Sequence, residues 1–232
     1  GYVDLTREIL AQFGIVTRAE KRSFHIPGNQ NYISPGKMII EGDWSNAAFF
    51  LVAGALSAPL ICHGLKADSS QGDRHILQHL RRFGARIEES DGRVVVSPGE
   101  LSGCRIDVGE IPDLLPILAV LAAFAKGSST LYNAARLRLK ESDRLTAVRN
   151  MLLALGGTVE ETPDSLIIQG QQQLQGGLVD SCNDHRIVMA AAIAACRCKN
   201  PVCIRNAKAV RKSWPDFFSV YSSLGGKVND VI

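Results

Sequence analysis

The chain carries one pattern of about seventy residues three times, and this repeat constrains the fold more than any other feature of the sequence. Asp43, Asp113 and Asp184 each stand at the start of a long apolar run, at spacings of 70 and 71 residues. Glycines that directly follow an apolar residue keep nearly the same period, at positions 14, 84, 156 and 225. Independent markers with one period predict an array of similar structural units.

The unit at residues 41–107 shows the predicted order of elements best. An apolar helix over residues 47–58 is followed by a strand at residues 59–63, and an amphipathic helix then begins at Asp73. A hairpin around Asp91-Gly92 closes the unit. The first helix is apolar nearly all round and the second has a charged face, so the first should lie buried beneath the second. Each unit is predicted as strand, helix, strand, helix, strand, strand.

Composition excludes several classes of function. The 26 Lys and Arg residues against 23 Asp and Glu residues give a net charge of only +3, without the basic run of a nucleic-acid-binding chain. No apolar stretch reaches the roughly 20 residues that cross a bilayer, and no signal peptide opens the sequence, which favours a cytoplasmic protein without membrane contact. The six cysteines and five histidines lack the spacing of zinc ligands or of a disulfide framework, so no metal is expected.

The start of the sequence bears on domain organisation. The chain begins at Gly1 without a methionine, inside a predicted helix over residues 2–13 that lacks the strand expected before it. We expect residues 1–40 to be the tail of an N-terminal lobe and residues 41–232 to be most of a C-terminal lobe. The units of that second lobe are predicted at about 41–107, 108–178 and 179–232. The sequence is accordingly predicted to be a fragment of a longer repeat array.

Charged side chains gather at the junctions where strands lead into helices. Arg136, Arg138 and Lys140 alternate along a segment predicted to be extended, so that all three can face one side. A helix N-terminus has a partial positive charge and free amides, and cations beside it predict an anion-binding site. If the buried helices run parallel, the carboxylates of Asp113 and Glu141 lie among these cations and can serve as general acid and base.

Two further junctions extend this pattern, and a simpler interpretation stands beside it. Arg186 follows Asp184 in the last unit, and Lys212 precedes the next helix of that unit. Aspartates at helix starts can be plain N-caps. Cations in the first turn of a helix, such as Arg144 and Arg186, are electrostatically disfavoured there, and such a conflict with local rules is typical of functional sites. From the residues alone, these charged side chains can be either structural or functional. Tyr2 likewise can serve either packing or ligand contact.

At these residues the chain resembles the enolpyruvyl transferases. The segments that carry the resemblance follow the family's order along the whole chain: Tyr2-Val3-Asp4-Leu5-Thr6, Glu41-Gly42-Asp43, Gln71-Gly72-Asp73, Ile111-Pro112-Asp113, Leu139-Lys140-Glu141-Ser142-Asp143-Arg144-Leu145, Asn183-Asp184-His185-Arg186 and Lys212-Ser213-Trp214-Pro215-Asp216-Phe217. The strings Lys-Glu-Ser-Asp-Arg and Asn-Asp-His-Arg resemble the branch that acts on shikimate-3-phosphate. The resemblance implies an α/β fold of two lobes, each an inside-out barrel of three βαβαββ units with buried parallel helices and sheets outside.

The resemblance also implies a reaction and a role for each candidate residue. The family transfers the enolpyruvyl group of phosphoenolpyruvate, here to the 5-hydroxyl of shikimate-3-phosphate, with release of phosphate and without a cofactor. The implied catalytic residues are Asp113, which helps to deprotonate that hydroxyl, Glu141, which protonates the methylene group and later takes the proton back, and Lys140 between the substrates. The implied ligands of phosphoenolpyruvate are Lys140, Arg144, Arg186 and Lys212, and those of shikimate-3-phosphate are Tyr2, Asp113 and Lys140.

The family places other substrate ligands in its N-terminal lobe, and none of them matches a residue of this sequence. Residues 1–232 are therefore expected to be inactive alone, and the whole protein to be a cytoplasmic monomer of the shikimate pathway, which supplies chorismate and aromatic amino acids. Three alternatives stand beside this expectation. They are another enolpyruvyl transferase such as the one acting on UDP-N-acetylglucosamine, the distantly similar RNA 3'-phosphate cyclase fold, and a non-catalytic lobe that serves as an interaction module.

Overall fold

The chain alternates short strands and helices, and the computed structural model describes residues 2–90 and 92–229. The α-helices are α1 (Tyr2–Gln12), α2 (Trp44–Leu56), α3 (Ile76–Phe83), α4 (Leu115–Ala123), α5 (Arg144–Ala154), α6 (His185–Ala195) and α7 (Phe217–Ser223). The strands are β1 (Arg18–Ala19), β2 (Phe24–His25), β3 (Leu60–His63), β4 (Arg86–Ser90), β5 (Arg93–Ser97), β6 (Arg105–Asp107), β7 (Ser128–Tyr132), β8 (Thr158–Glu161), β9 (Leu166–Gln169), β10 (Gly177–Asp180) and β11 (Val202–Arg205). Short 3-10 helices cover Gly72–His75, Pro112–Leu114, Ala135–Leu139 and Ala207–Lys212.

The helices α2, α4 and α6 form the core of the described structure. Every residue of α4 is buried, and α2 and α6 are buried over most of their length. The three helices pack against one another, and each begins at or shortly after one of the repeated aspartates. A helix without a polar side is stable only where other elements surround it. The prediction that the first helix of each unit is buried is confirmed.

The strands form sheets around this helical core. The sheet of the middle unit has the order β6-β7-β9-β8, in which β6 and β7 are parallel and the other pairs antiparallel. Its strand β6 lies just before the predicted start of this unit at about residue 108. The first unit has the antiparallel sheet β3-β5-β4, and β10 and β11 of the last unit pair in parallel. Alternate residues of β5 and β7 are buried, as expected when one face of a sheet covers a core. The middle unit shows the whole predicted order of strands and helices. The prediction that the first unit shows this order best is wrong, because the described residues 26–43 form no strand before α2.

The glycines of the repeat end helices in the left-handed conformation. Gly84 follows α3 with a φ of 105°, and a Cβ atom built there would lie 2.3 Å from the carbonyl oxygen of Glu100. A side chain at this position would therefore need a backbone shift, so glycine is required. The predicted hairpin is formed by β4 and β5, although Asp91 of its predicted turn lies outside the described residues.

The residues before α2 pack little against the rest of the chain. Helix α1 has no buried residue, and Ile39 and Ile40 are 88% and 75% exposed. The hydroxyl of Tyr2 nevertheless reaches Asp113, and Glu8 accepts a hydrogen bond from Ser70. This loose attachment is in keeping with our proposal that residues 1–40 belong to a different lobe. Helices that could cross a membrane do not occur within the described ranges.

His79 should make the stability of the folded chain sensitive to acid. Its side chain on α3 is 7% exposed, and its Nδ1 finds no hydrogen-bond partner among the described residues. Burial, together with the charge of Arg82, lowers the pKa of His79 to about 4. A histidine in the unfolded chain titrates near 6.5, so stability that is present above about pH 6.5 is lost as the pH falls towards 4. At about 1.36 kcal/mol for each unit of pKa, the loss of stability is at most about 3 to 4 kcal/mol.

We expect His79→Gln to reduce this acid-side loss, as measured by urea unfolding at about pH 7 and about pH 4.5. The matched variant His63→Gln, at an exposed position on β3, should keep the pH dependence of the parent. Equal losses of stability in the parent and in His79→Gln would contradict the assignment.

Candidate active site

Asp113 lies at the centre of a cluster of cations. It occupies the 3-10 turn that leads into α4, and its side chain is 15% exposed. Its carboxylate lies 3.4 Å from Lys140 Nζ, 2.5 Å from Arg144 Nη1 and 3.3 Å from Arg186 Nη2. The hydroxyl of Tyr2 donates to its Oδ2 at 3.1 Å. The structure thus brings together five residues that are spread over most of the sequence.

The surrounding charges decide how Asp113 ionises. Burial alone would raise the pKa of this carboxyl group, but the charges of Arg186, Arg144 and Lys140 outweigh burial and lower its pKa to about 2. Asp113 is therefore a carboxylate at neutral pH. The pKa of the Tyr2 hydroxyl is raised instead, by burial and by the negative charge of Asp113. That hydroxyl consequently stays protonated and acts as a donor.

Arg144 joins three carboxylates and is itself buried. Its Nε lies 2.9 Å from Asp184 Oδ2, its Nη1 2.5 Å from Asp113 Oδ1 and its Nη2 2.5 Å from Glu141 Oε2. The side chain is 1% exposed. Burial alone would lower the pKa of this guanidinium group, but the carboxylates, Asp184 foremost, raise it. These carboxylates offset the cost of a cation in the first turn of α5.

Asp184 caps a helix and also holds a cation. It is fully buried, and its Oδ1 accepts the backbone amide of Arg186 at 2.9 Å, which makes it the N-cap of α6. Its Oδ2 accepts from the hydroxyl of Ser142 at 3.0 Å and from Arg144. Arg186 in turn donates to the backbone carbonyl of Asp113 at 3.4 Å. The N-cap interpretation is confirmed for Asp184, whose carboxylate also binds Arg144.

The other aspartates divide between capping and contact with cations. Asp43 accepts hydrogen bonds from two backbone amides in the first turn of α2 and is its N-cap. Asp143 accepts a hydrogen bond from the backbone amide of Thr146 and is the N-cap of α5. Within the described chain the side chain of Asp113 caps no helix and instead bonds to cations and to Tyr2. Residues that look alike in sequence therefore have different partners.

Lys212 approaches the cluster from the 3-10 helix that ends at this residue. Its Nζ donates to the backbone carbonyl of Asn183 at 2.5 Å, and Asn183 directly precedes the N-cap of α6. Three cations that are distant in sequence, Arg144, Arg186 and Lys212, thus meet around the start of one buried helix.

The prediction that Arg136, Arg138 and Lys140 face one side of an extended segment is wrong. Residues Ala135–Leu139 form a 3-10 helix, in which positions two apart do not share a face. Lys140 turns to Asp113, whereas Arg138 turns to the β8–β9 hairpin. The alternating pattern of basic residues failed as a predictor because most partners of Arg138 belong to a hairpin that follows α5 in the chain.

One buried carboxylate near the site was not among the predicted site residues. Asp73 is 4% exposed and accepts a hydrogen bond from the hydroxyl of Ser45 at the start of α2. Burial raises its pKa and the negative charge of Asp113 adds to this, although the bond from Ser45 acts in the other direction. The only signal for it in the sequence was the segment Gln71-Gly72-Asp73, which carries part of the resemblance.

The arrangement suits the binding of anions with several charges. Lys140, Arg144, Arg186 and Lys212 supply fixed positive charge at the starts of helices, where such charge stabilises anions. Glu141 is held by Arg144 but is 41% exposed, so its second oxygen can reach a bound molecule. In the part of the chain that the structure describes, no group of His, Cys, Asp or Glu side chains is arranged to hold a metal ion.

Solved structures place the architecture in a class. EPSP synthase from Acinetobacter baumannii superposes with a TM-score of 0.84 at 26% identity, over 97% of this chain and 55% of that protein. The enolpyruvyl transferase NikO from Streptomyces tendae superposes with a TM-score of 0.74 at 18% identity, over 96% of this chain and 52% of that protein, a likeness of fold alone. The fold is that of the enolpyruvyl transferases, and the predicted fold class is confirmed.

Sequence comparison gives the family within this class. Residues 1–221 match EPSP synthase (3-phosphoshikimate 1-carboxyvinyltransferase), and the chain belongs to this family. It is 46% identical over 230 residues to the 3-phosphoshikimate 1-carboxyvinyltransferase of Clostridium kluyveri, and 45% identical over 231 residues to that of Clostridium acetobutylicum. Each comparison covers 99% of this chain but only 54% and 53% of the two relatives. The chain thus spans about half the length of the curated relatives it matches.

Proposed function

We propose that this chain supplies one lobe of an enzyme that transfers the enolpyruvyl group of phosphoenolpyruvate to the 5-hydroxyl of shikimate-3-phosphate. The observation that carries the proposal is the carboxylate of Asp113 surrounded by three cations, with Glu141 on the same arginine. Both substrates are anions, and the curated relatives bear the name of this reaction. Residues 41–232 would form the C-terminal lobe of a cytoplasmic monomer, and residues 1–40 would end the other lobe.

Phosphoenolpyruvate would bind to the cations of the cluster. Lys140, Arg186 and Lys212 would bind its carboxylate and phosphate groups together with Arg144. In the present structure every arm of Arg144 is engaged by a carboxylate, so binding there has to displace Glu141 or Asp113. Displacement of Glu141 would release the exposed carboxyl group that the reaction needs as an acid.

Asp113 and Glu141 would handle the two protons of the reaction. The 5-hydroxyl oxygen attacks C2 of phosphoenolpyruvate and passes its proton towards Asp113, while Glu141 protonates the methylene carbon and so completes a tetrahedral adduct. Glu141 then takes a proton back from the resulting methyl group as phosphate leaves. Asp113 is a weak base while three cations face it, and anionic substrates that neutralise those cations would raise its pKa. Tyr2 and Lys140 would hold shikimate-3-phosphate beside Asp113.

The test is an assay of phosphate release and product formation from the two substrates. The full-length form of this protein should turn over equally with and without a chelator, because fixed protein charges supply the electrostatic stabilisation. Residues 1–232 alone should not turn over. Absence of the product with the full-length form would refute the reaction. Turnover by residues 1–232 alone would contradict the requirement for a second lobe, and inhibition by the chelator would contradict the absence of a metal.

Phosphate should stabilise residues 1–232 more than chloride does at equal ionic strength. An anion that binds only the folded chain stabilises it by about 1.4 kcal/mol at ten times its Kd, which is roughly 3 to 5 °C in Tm. The effect should shrink in Arg186→Ala and Lys212→Ala, and it should persist in Arg93→Ala, an exposed arginine on β5. If both salts acted alike, general screening would explain the result and the lobe would hold no anion site by itself.

A further inference from the structure

Arg138 ties the segment before α5 to the neighbouring hairpin. Its Nε donates to the backbone carbonyl of Pro163 at 2.9 Å, and its Nη2 donates to that of Thr162 at 2.8 Å, both in the connection between β8 and β9. Its Nη1 lies 2.8 Å from Asp143 Oδ2 and 2.8 Å from Glu161 Oε1. All three guanidinium nitrogens are therefore engaged inside the protein, although the side chain is 29% exposed.

These contacts bracket the segment that carries two of the proposed catalytic residues. Arg138 stands two positions before Lys140, and its partner Asp143 stands two positions after Glu141. Apolar packing does not hold this stretch, because Leu139 is 89% exposed. A surface segment without buried apolar side chains depends on its polar contacts for a single conformation.

We propose that Arg138 is a positioning residue for the enolpyruvyl transfer and, through its contacts with the β8–β9 hairpin and Asp143, places Glu141 and Lys140. This inference rests on the proposed function. Within the described residues, Arg138 makes its polar contacts with the hairpin, Asp143 and Thr146 and none with Asp113, so Arg138 acts through the backbone of residues 139–143. A displacement of a reacting group by about 1 Å can reduce a rate by roughly 10².

A lysine cannot replace Arg138 in this role. The planar guanidinium group reaches two carbonyls and two carboxylates at once, whereas an ammonium group is a single point on a flexible chain. Arg138→Lys therefore keeps the positive charge but cannot make these four contacts at the same time. Glu161→Gln is a milder second variant, since it weakens one arm of the same contact and leaves Arg138 in place.

The experiment compares these variants with a matched control in the full-length form of this protein. Arg81→Lys is that control, because Arg81 on α3 pairs with Glu89 on β4 and so joins a helix to a hairpin in the first unit. We expect Arg138→Lys to lower kcat by about tenfold or more, with the KM of each substrate within about threefold of the parent, and Arg81→Lys to keep both. Glu161→Gln should lower kcat to a smaller extent.

Amide hydrogen exchange gives a readout that does not depend on activity. The amide of Ala134, which donates to the carbonyl of Asp164 in the β8–β9 turn, and the amide of Thr146, which donates to Asp143, lie on either side of this segment. Both should exchange faster in Arg138→Lys than in Arg81→Lys, without a global loss of protection. A parental kcat in Arg138→Lys, or parental exchange at these two amides, would overturn the inference. A KM that rises with an unchanged kcat would overturn it too, by assigning Arg138 to substrate binding. If the parent does not form the product, the proposed function is wrong, and hydrogen exchange still decides whether Arg138 positions the segment.

Discussion

Glu141→Gln should lower kcat by roughly 10² or more in the full-length form of this protein, because glutamine has no proton to give to the methylene carbon. The amide keeps the size of the side chain and an oxygen for Arg144 Nη2, which lies 2.5 Å from Glu141 Oε2. Substrate affinity should therefore change far less than kcat. Steady-state kinetics with both substrates measures the two effects separately.

Isotope exchange sharpens this test. If Glu141 adds and removes a proton reversibly, the parent should incorporate solvent deuterium into the methylene group of phosphoenolpyruvate, and Glu141→Gln should not. The control variant Glu100→Gln, at an exposed position outside the cluster, should behave like the parent. Normal turnover by Glu141→Gln would show that Glu141 is only a partner of Arg144.

Asp113→Asn should lower kcat on a similar scale, roughly 10² or more, and should also destabilise the empty protein. The substitution removes the negative charge that Lys140, Arg144 and Arg186 share, and leaves these cations facing one another. Loss of one partner from a buried ion cluster typically costs about 3 to 5 kcal/mol. Urea unfolding near neutral pH measures this loss, and added phosphate should recover part of it by replacing the missing negative charge.

A variant that loses only a helix N-cap is the control for the loss of stability expected in Asp113→Asn. Asp43→Ala removes the carboxylate that caps α2 and should cost only about 1 kcal/mol. A loss of similar size in Asp113→Asn, with normal turnover, would make Asp113 a structural residue and would contradict the role proposed for it. A loss of turnover at unchanged stability would keep the catalytic role and refute the electrostatic explanation.

Much of the fold was predictable because local rules act strongly in this chain. The starts of α2 and α6 follow from favoured caps and apolar runs, and the ends of helices follow from glycines such as Gly84. The segment before α5 was not predictable in the same way. Alternating basic residues suggested an extended conformation, but residues Ala135–Leu139 form a 3-10 helix. Arg138 contacts the turn of the β8–β9 hairpin, whereas Lys140 contacts Asp113.

The sequence by itself determined the repeat, the buried helices and the residue types at their starts, because these depend on periodicity and on local hydrogen bonding. Only the tertiary structure decided which charges meet. Asp43 caps a helix, Asp113 is shared by three cations, and Asp184 caps a helix and also binds Arg144. Coulomb energy depends on the distance between groups and on their burial, and both are set by the packing of helices that lie far apart in the chain.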